Sequence, residues 1–335
     1  MCHITDGIRA VDFHTAGEPF RIVADGVTVP DAPTVAARRV LAQRSVELER
    51  VRELLCREPR GHADMYGCFV VPPDDDGADF GVLFWHNHGY STACGHGTIA
   101  LGVWAVQSGR VASDPDGDTE VRIDVPSGRV VATVRRVGGM IAGVTFRNVP
   151  SFVIATALPL ETSRGAVPVD LSYSGAIYAS VSAVDLGLAV DPEHYADLIA
   201  IGREIKWALN ESSWAQHPAD ARLSGVYGTI IYDELGDDAQ GPRQRNVTVF
   251  ADGEVDRSPC GSGTGARVAL LAAAGRLTAD QVFTHDSIIG TRFTARALPH
   301  PNGVVPEVEG MAYKTGEHVF YHDAADPIGT GFLLR

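Results

Sequence analysis

Two stretches of this chain, STACGHGTIALG around residue 94 and RSPCGSGTGARV around residue 260, both contain Cys-Gly-x-Gly-Thr. Each follows a β-branched, aromatic-rich segment, FGVLFWHN in one case and NVTVFADG in the other. Each leads into an apolar run with helical spacing that stops at a glycine, Gly109 or Gly275, as a helix C-terminus does. The two cysteines lie about half a chain apart. This restricts the fold sharply: it predicts two similar domains, each presenting one cysteine at the start of a helix.

The rest of the chain agrees with a sheet-rich architecture. Runs such as FRIVADGV, VRIDVPSGRVVATVRRV, AIYASVSAV and GTIIYDEL are separated by turn signals, which predicts antiparallel meanders more than a doubly wound parallel sheet. Helical spacing appears in TVAARRVLAQRSVELERVRELLC, read as one helix, and in DPEHYADLIAIGREIKWALNE. A chain of 335 residues exceeds the usual span of one core. We expect an α/β (α+β) protein of two domains, each a mixed, mostly antiparallel sheet around a central helix. The first takes in residues 1–165 with 315–335 and carries Cys94; the second takes in 166–314 and carries Cys260.

Composition excludes several classes of partner. With 28 basic against 42 acidic residues the net charge is −14, which repels nucleic acid and anionic membrane surfaces. No apolar segment approaches the ~20 residues that span a bilayer, and the opening MCHITDGIRAVDF lacks signal-peptide character, so a cytoplasmic location is expected. The five cysteines are scattered and odd in number, unlike a disulfide framework; Cys2, Cys56 and Cys68 read as small buried hydrophobes. Cys94 and His96 form no metal set, because no second clustered pair completes one. GSGTG lacks the glycine order of a dinucleotide loop, and the loop carries no Gly-Lys-Ser/Thr for phosphate. His14 and Glu18, in DFHTAGEP, read as parts of a structural turn.

A cysteine at a helix start has specific chemistry. The first helical turn leaves N–H groups without partners, and glycines let a small carboxylate reach them. The helix dipole favours thiolate over thiol by about 1 kcal/mol, close to one pKa unit. Two such cysteines across a cleft oppose each other's ionisation, so one thiolate faces one thiol. A carbon acid held between them loses its Cα proton to one sulfur and gains another from the opposite face. Backbone amides stabilise the charge that builds on the carboxylate, so no metal or organic cofactor is expected.

The residues resemble the proline racemase family, which includes hydroxyproline 2-epimerases and trans-3-hydroxy-L-proline dehydratases on the diaminopimelate epimerase fold. The likeness runs through DFHTAGEPFRIV, RGHADMYGCFVVPP, HGYSTACGHGTIALG, FADGEVDRSPCGSGTGAR, IIGTRFTA and EVEGMAYKTGEHVF. By this resemblance Cys94 and Cys260 are the catalytic pair. Gly95, His96, Gly261 and Ser262 hold the substrate carboxylate, His96 through its backbone with an imidazole that only packs, and Asp256 contacts the ring nitrogen. The implied substrate is a proline-type imino acid, and the implied enzyme a monomer or homodimer. Family epimerases carry cysteine at the second catalytic position, whereas the dehydratases usually carry threonine. Cys260 therefore implies a cofactor-independent epimerase, with 4-hydroxyproline 2-epimerisation as the expected reaction. The wording of GYSTACGHGTIALG and NVTVFADGEVDRSP leans toward the dehydratases, which keeps trans-3-hydroxy-L-proline dehydration, or both activities together, as the alternative. A non-catalytic imino-acid binder would need only the amides, and so has no use for two thiols.

Overall fold

The computed structural model describes residues 7–334; Cys2 lies outside the described residues. The first half contains β1 (Ile8–Thr15), β2 (Glu18–Val23), α1 (Val35–Ala42), α2 (Val46–Cys56), β3 (Tyr66–Val71), β4 (Phe80–His86), β5 (Gly89–Tyr90), α3 (Gly95–Gln107), β6 (Gly117–Val125), β7 (Gly128–Val137) and β8 (Met140–Arg147). After β9 (Phe152–Thr162), the second half contains β10 (Gly165–Tyr173), β11 (Ile177–Ser182), α4 (Tyr195–Asn210), β12 (Val226–Asp237), β13 (Pro242–Phe250) and β14 (Glu254–Asp256). It closes with α5 (Gly261–Ala273), β15 (Phe283–Ser287), β16 (Arg292–His300), β17 (Gly303–Gly310) and β18 (Ala312–Phe320).

The repeat seen in the two cysteine motifs extends to the whole pairing scheme. In the first half, hairpin β1–β2 is followed by parallel β2–β3, antiparallel β3–β4, parallel β4–β6 and the meander β6–β7–β8. The second half repeats each step, from hairpin β10–β11 through parallel β11–β12, antiparallel β12–β13 and parallel β13–β15 to the meander β15–β16–β17. In both halves a short strand, β5 or β14, pairs with its predecessor just before the cysteine. The sheets are mixed and mostly antiparallel, as expected.

The ninth strand of each repeat crosses over. β9 pairs with β10 of the second half, and β18 returns to pair with β1 of the first. Pairing of β8 with β17 then joins the two sheets. We propose a division of lobes that follows this exchange, which puts residues 152–162 with the second lobe.

Each sheet wraps one helix. From Gly95 to Ala105 every residue of α3 is buried, and so is every residue of α5 from Gly261 to Leu271. A helix that is buried all round has no polar stripe, which is why GTIALGVWAV shows so little amphipathic contrast. Outside the first sheet, α1 and α2 cover Phe69, Leu83 and Trp85. The expected single helix there is two, because Ser45 leaves the helical conformation and its hydroxyl caps the Leu48 N–H. Cys56 and Cys68 are buried free thiols. No helix among the described residues is long and apolar enough to cross a membrane.

Leu101 is fully buried in α3. Leu101→Ala should therefore lower the unfolding free energy by about 2–5 kcal/mol in a denaturant titration, and a loss below about 1 kcal/mol would mean the sheet does not close on this helix.

Candidate active site

The two buried helices meet end to end. A Cβ placed on Gly95 would stand 2.6 Å from the Gly261 Cα and 2.6 Å from the Ser262 backbone nitrogen. One placed on Gly261 would stand 2.6 Å from the Gly95 Cα and 2.9 Å from the His96 nitrogen. Only glycine at both positions allows this approach, and it sets the free amides of His96 and Ser262 around one point. Two positive helix ends aimed at one place favour an anion there.

Each helix starts on its cysteine. Cys94 is the N-cap of α3 and its Sγ accepts the Gly97 N–H at 3.3 Å; Cys260 is the N-cap of α5 and its Sγ accepts the Gly263 N–H at 3.3 Å. Their backbones differ. Cys94 is extended, whereas Cys260 has φ 62°, a left-handed conformation unusual outside glycine. The loop before it enforces that geometry: Ser258 Oγ accepts the Cys260 N–H at 3.0 Å, and the Pro259 carbonyl accepts from Asn246 Nδ2 and Thr264 Oγ1.

Both cysteines line one narrow cavity of about 10 Å³. Its other walls include Tyr66, Tyr178, Tyr227 and Phe250, with Asp256 and Ser262 as polar groups. The Ser262 hydroxyl is buried without a hydrogen-bond partner. Asp256 is buried and accepts the N–H and Oγ–H of Ser258 through Oδ1. Its Oδ2 lies 3.5 Å from His96 Nδ1. So tight a space admits a ligand larger than water only if the lobes part and reclose around it.

All seven residues singled out from the sequence, Cys94, Gly95, His96, Asp256, Cys260, Gly261 and Ser262, come together here. The His96 imidazole packs against both neighbours: its nitrogens lie within 3.6 Å of Cys94 Sγ, and Nδ1 lies 3.5 Å from Asp256 Oδ2. Sequence reasoning missed the aromatic wall, where Tyr227 donates to Tyr66 at 3.1 Å and Tyr66 shares a short hydrogen bond with Ser91. It also set aside Glu18, which is fully buried and accepts the Arg257 N–H at 2.8 Å. Burial first, and the Asp256 charge second, push the Glu18 carboxyl well above its ordinary range.

The thiols also depart from the expectation built on the helix dipole alone. Burial pushes both well above the ordinary thiol range. The Gly97 and Gly263 amides act in the opposite sense, and the negative charge of Asp256 reinforces burial. Desolvation outweighs about 1 kcal/mol of dipole in a closed, dry cavity. A positive charge paired with Asp256 removes one of the charges that hold the thiols protonated.

The sequence matches the family described as proline racemase over residues 10–333. The chain belongs to the proline racemase family. A trans-3-hydroxy-L-proline dehydratase of Colwellia psychrerythraea is 41% identical over 334 residues, covering 98% of this chain and 93% of the relative. A 3-hydroxyproline 2-epimerase of Burkholderia multivorans is 41% identical over 340 residues, covering 99% of both. In three dimensions the chain resembles a hydroxyproline epimerase from Agrobacterium vitis with bound trans-4-hydroxy-L-proline, at TM-score 0.88 and 28% identity over 99% of this chain and 97% of that one. Membership of the proline racemase family makes this chain an enzyme of the isomerase and hydro-lyase kind, on the diaminopimelate epimerase-like fold.

Since both thiols titrate above the ordinary range in the free protein, alkylation of Cys94 and Cys260 by iodoacetamide should be slow at neutral pH and rise only through the alkaline range. Peptide mass spectrometry over a pH series checks this; full modification at neutral pH, at the rate of an exposed thiol, would contradict it.

Proposed function

We propose that this protein acts on 3-hydroxyproline, and that its reaction is dehydration of trans-3-hydroxy-L-proline, started by removal of the Cα proton. The observation that carries the chemistry is the meeting of two helix ends at Gly95 and Gly261, with a cysteine on each and Asp256 alongside. The substrate carboxylate takes the His96 and Ser262 amides, and its ring nitrogen takes Asp256. Cys94, as thiolate, removes the Cα proton while the amides hold the charge that moves onto the carboxylate.

The stereochemistry supports a single-base reaction. In trans-3-hydroxy-L-proline the hydroxyl is trans to the carboxylate and therefore on the same ring face as the Cα hydrogen. The sulfur that takes the Cα proton can return it to the departing hydroxyl. The Cα–H and C3–O bonds break, a Cα–C3 double bond forms, and water leaves with the proton. The product is a pyrroline carboxylate. Relatives named for 3-hydroxyproline stand at 41% identity, whereas the neighbour holding 4-hydroxyproline stands at 28%. We therefore place the substrate hydroxyl at C3, where the family resemblance gave 4-hydroxyproline as the first expectation.

Cys260 favours a second reading, 3-hydroxyproline 2-epimerisation. Its thiol, on the face opposite Cys94, would protonate Cα to give cis-3-hydroxy-D-proline. One experiment separates the two. Wild type and Cys260→Thr are incubated with trans-3-hydroxy-L-proline in deuterated water, with products read by NMR and by borohydride trapping as proline. Dehydration predicts that Cys260→Thr retains most pyrroline formation and that Cys94→Ser lowers it by at least about a hundredfold. Epimerisation predicts a Cα-deuterated 2-epimer that either substitution abolishes. Turnover of 4-hydroxyproline alone would overturn both.

A further inference from the structure

A second pocket, of about 420 Å³, opens between the halves and shares Tyr227 with the cysteine cavity. His86 and His88 line it from the first half, Lys206 and Asp252 from the second. Three side chains that the reaction does not use converge at its edge: His86 at the end of β4, His88 in the turn to β5, and Glu254 at the start of β14. Glu254 Oε1 lies 2.7 Å from His88 Nδ1 and 3.3 Å from His86 Nδ1. One ligand atom from each residue lies within 4.8 Å of the other two. A tetrahedral ion with bonds of about 2.0–2.1 Å sets its ligand atoms about 3.3 Å apart, so the 2.7 Å hydrogen bond between His88 and Glu254 opens slightly to admit it.

Two features of this group point to a cation. Glu254 is buried, and its Oε2 has no hydrogen-bond partner. An orphaned carboxylate oxygen is costly unless something positive reaches it. Second, both imidazoles bring Nδ1 to the same carboxylate oxygen, Glu254 Oε1, at 2.7 and 3.3 Å, so the three groups already converge; the His86 Nδ1 lone pair, which accepts the His88 backbone N–H at 3.1 Å, would leave that hydrogen bond for the ion.

We propose that His86, His88 and Glu254 bind a divalent transition-metal ion of the zinc class. Two imidazoles and one carboxylate suit such an ion better than calcium or magnesium, and leave a fourth position open to the pocket. The spacing of the sequence hides this set, since His86-x-His88 and Glu254 come from opposite halves. The ion ties the β4–β5 turn to β14, and so ties together the lobes that must part for substrate exchange. Bound metal therefore slows turnover.

The test uses metal-free protein titrated with Zn²⁺, and with Co²⁺ as a spectroscopic probe. Because the catalytic sulfurs are themselves zinc ligands, binding is measured in the double variant Cys94→Ser/Cys260→Ser. The proposal predicts one ion per chain there, a cobalt spectrum without sulfur charge-transfer bands, and at least about tenfold weaker binding on adding His88→Ala or Glu254→Gln. His88 is part-exposed in a turn, so its variant reports even if Glu254→Gln fails to fold. Wild-type binding that disappears in the double variant assigns the ion to the cysteines and overturns the proposal. So does an affinity that His88→Ala leaves unchanged.

Discussion

The contact on which this structure depends is between two backbones. Gly95 and Gly261 bring the N-termini of two fully buried helices so close that a single methyl group at either position would collide with the other chain segment. Everything chemical follows from that approach. It aims two sets of unpaired amides at one point, puts a cysteine cap on either side of it, and leaves a cavity that barely admits a water. The sheets exist, in this sense, to hold two helices in opposition. The exchange of β9 and β18 between the sheets, with the β8–β17 seam, makes the opposition part of the hydrogen-bonded framework.

A dry cavity has opposite effects on the two partners of the reaction. It strengthens the hold of the helix-end amides on a carboxylate, because no water competes. It also withholds ionisation from the sulfurs that must act as base, and Asp256 adds to the effect. In the proposed reaction the substrate resolves this conflict: it brings an ammonium to Asp256 and a carboxylate to the amides, so the charges that disfavour a thiolate are paired when one is needed. His96 lies 3.5 Å from both Cys94 Sγ and Asp256 Oδ2. Across the lobes, Arg257 links Asp64 of the first half to the strand that carries Asp256, and its N–H reaches Glu18.

Much of this was legible in the sequence, for a definite reason. A cysteine followed by Gly-x-Gly-Thr and an apolar run is a local signal, since capping, close approach and helix formation all depend on adjacent residues. Its double occurrence pointed to the internal repeat and to the residues that meet where the two helices begin. What stayed hidden depends on distant residues. The move of β9 into the second sheet cannot be read from periodicity, because its alternation is the same whichever sheet it joins. The break at Ser45 was masked by helical spacing on both sides. The aromatic wall of Tyr66, Tyr178, Tyr227 and Phe250 is drawn from four separate strands or strand ends, and each of these residues reads as ordinary core. The position of the substrate hydroxyl left no mark on motif spacing at all.

The most direct test of this account asks whether both sulfurs belong to one ligand site. Pyrrole-2-carboxylate, a ring acid with a planar Cα, should sit between them with its carboxylate on the helix ends. Alkylation of Cys94 and Cys260 is followed separately by peptide mass spectrometry at alkaline pH as the analogue is titrated. The account predicts that both cysteines are protected together, with a single dissociation constant. Protection of one sulfur while the other reacts at its original rate would contradict it.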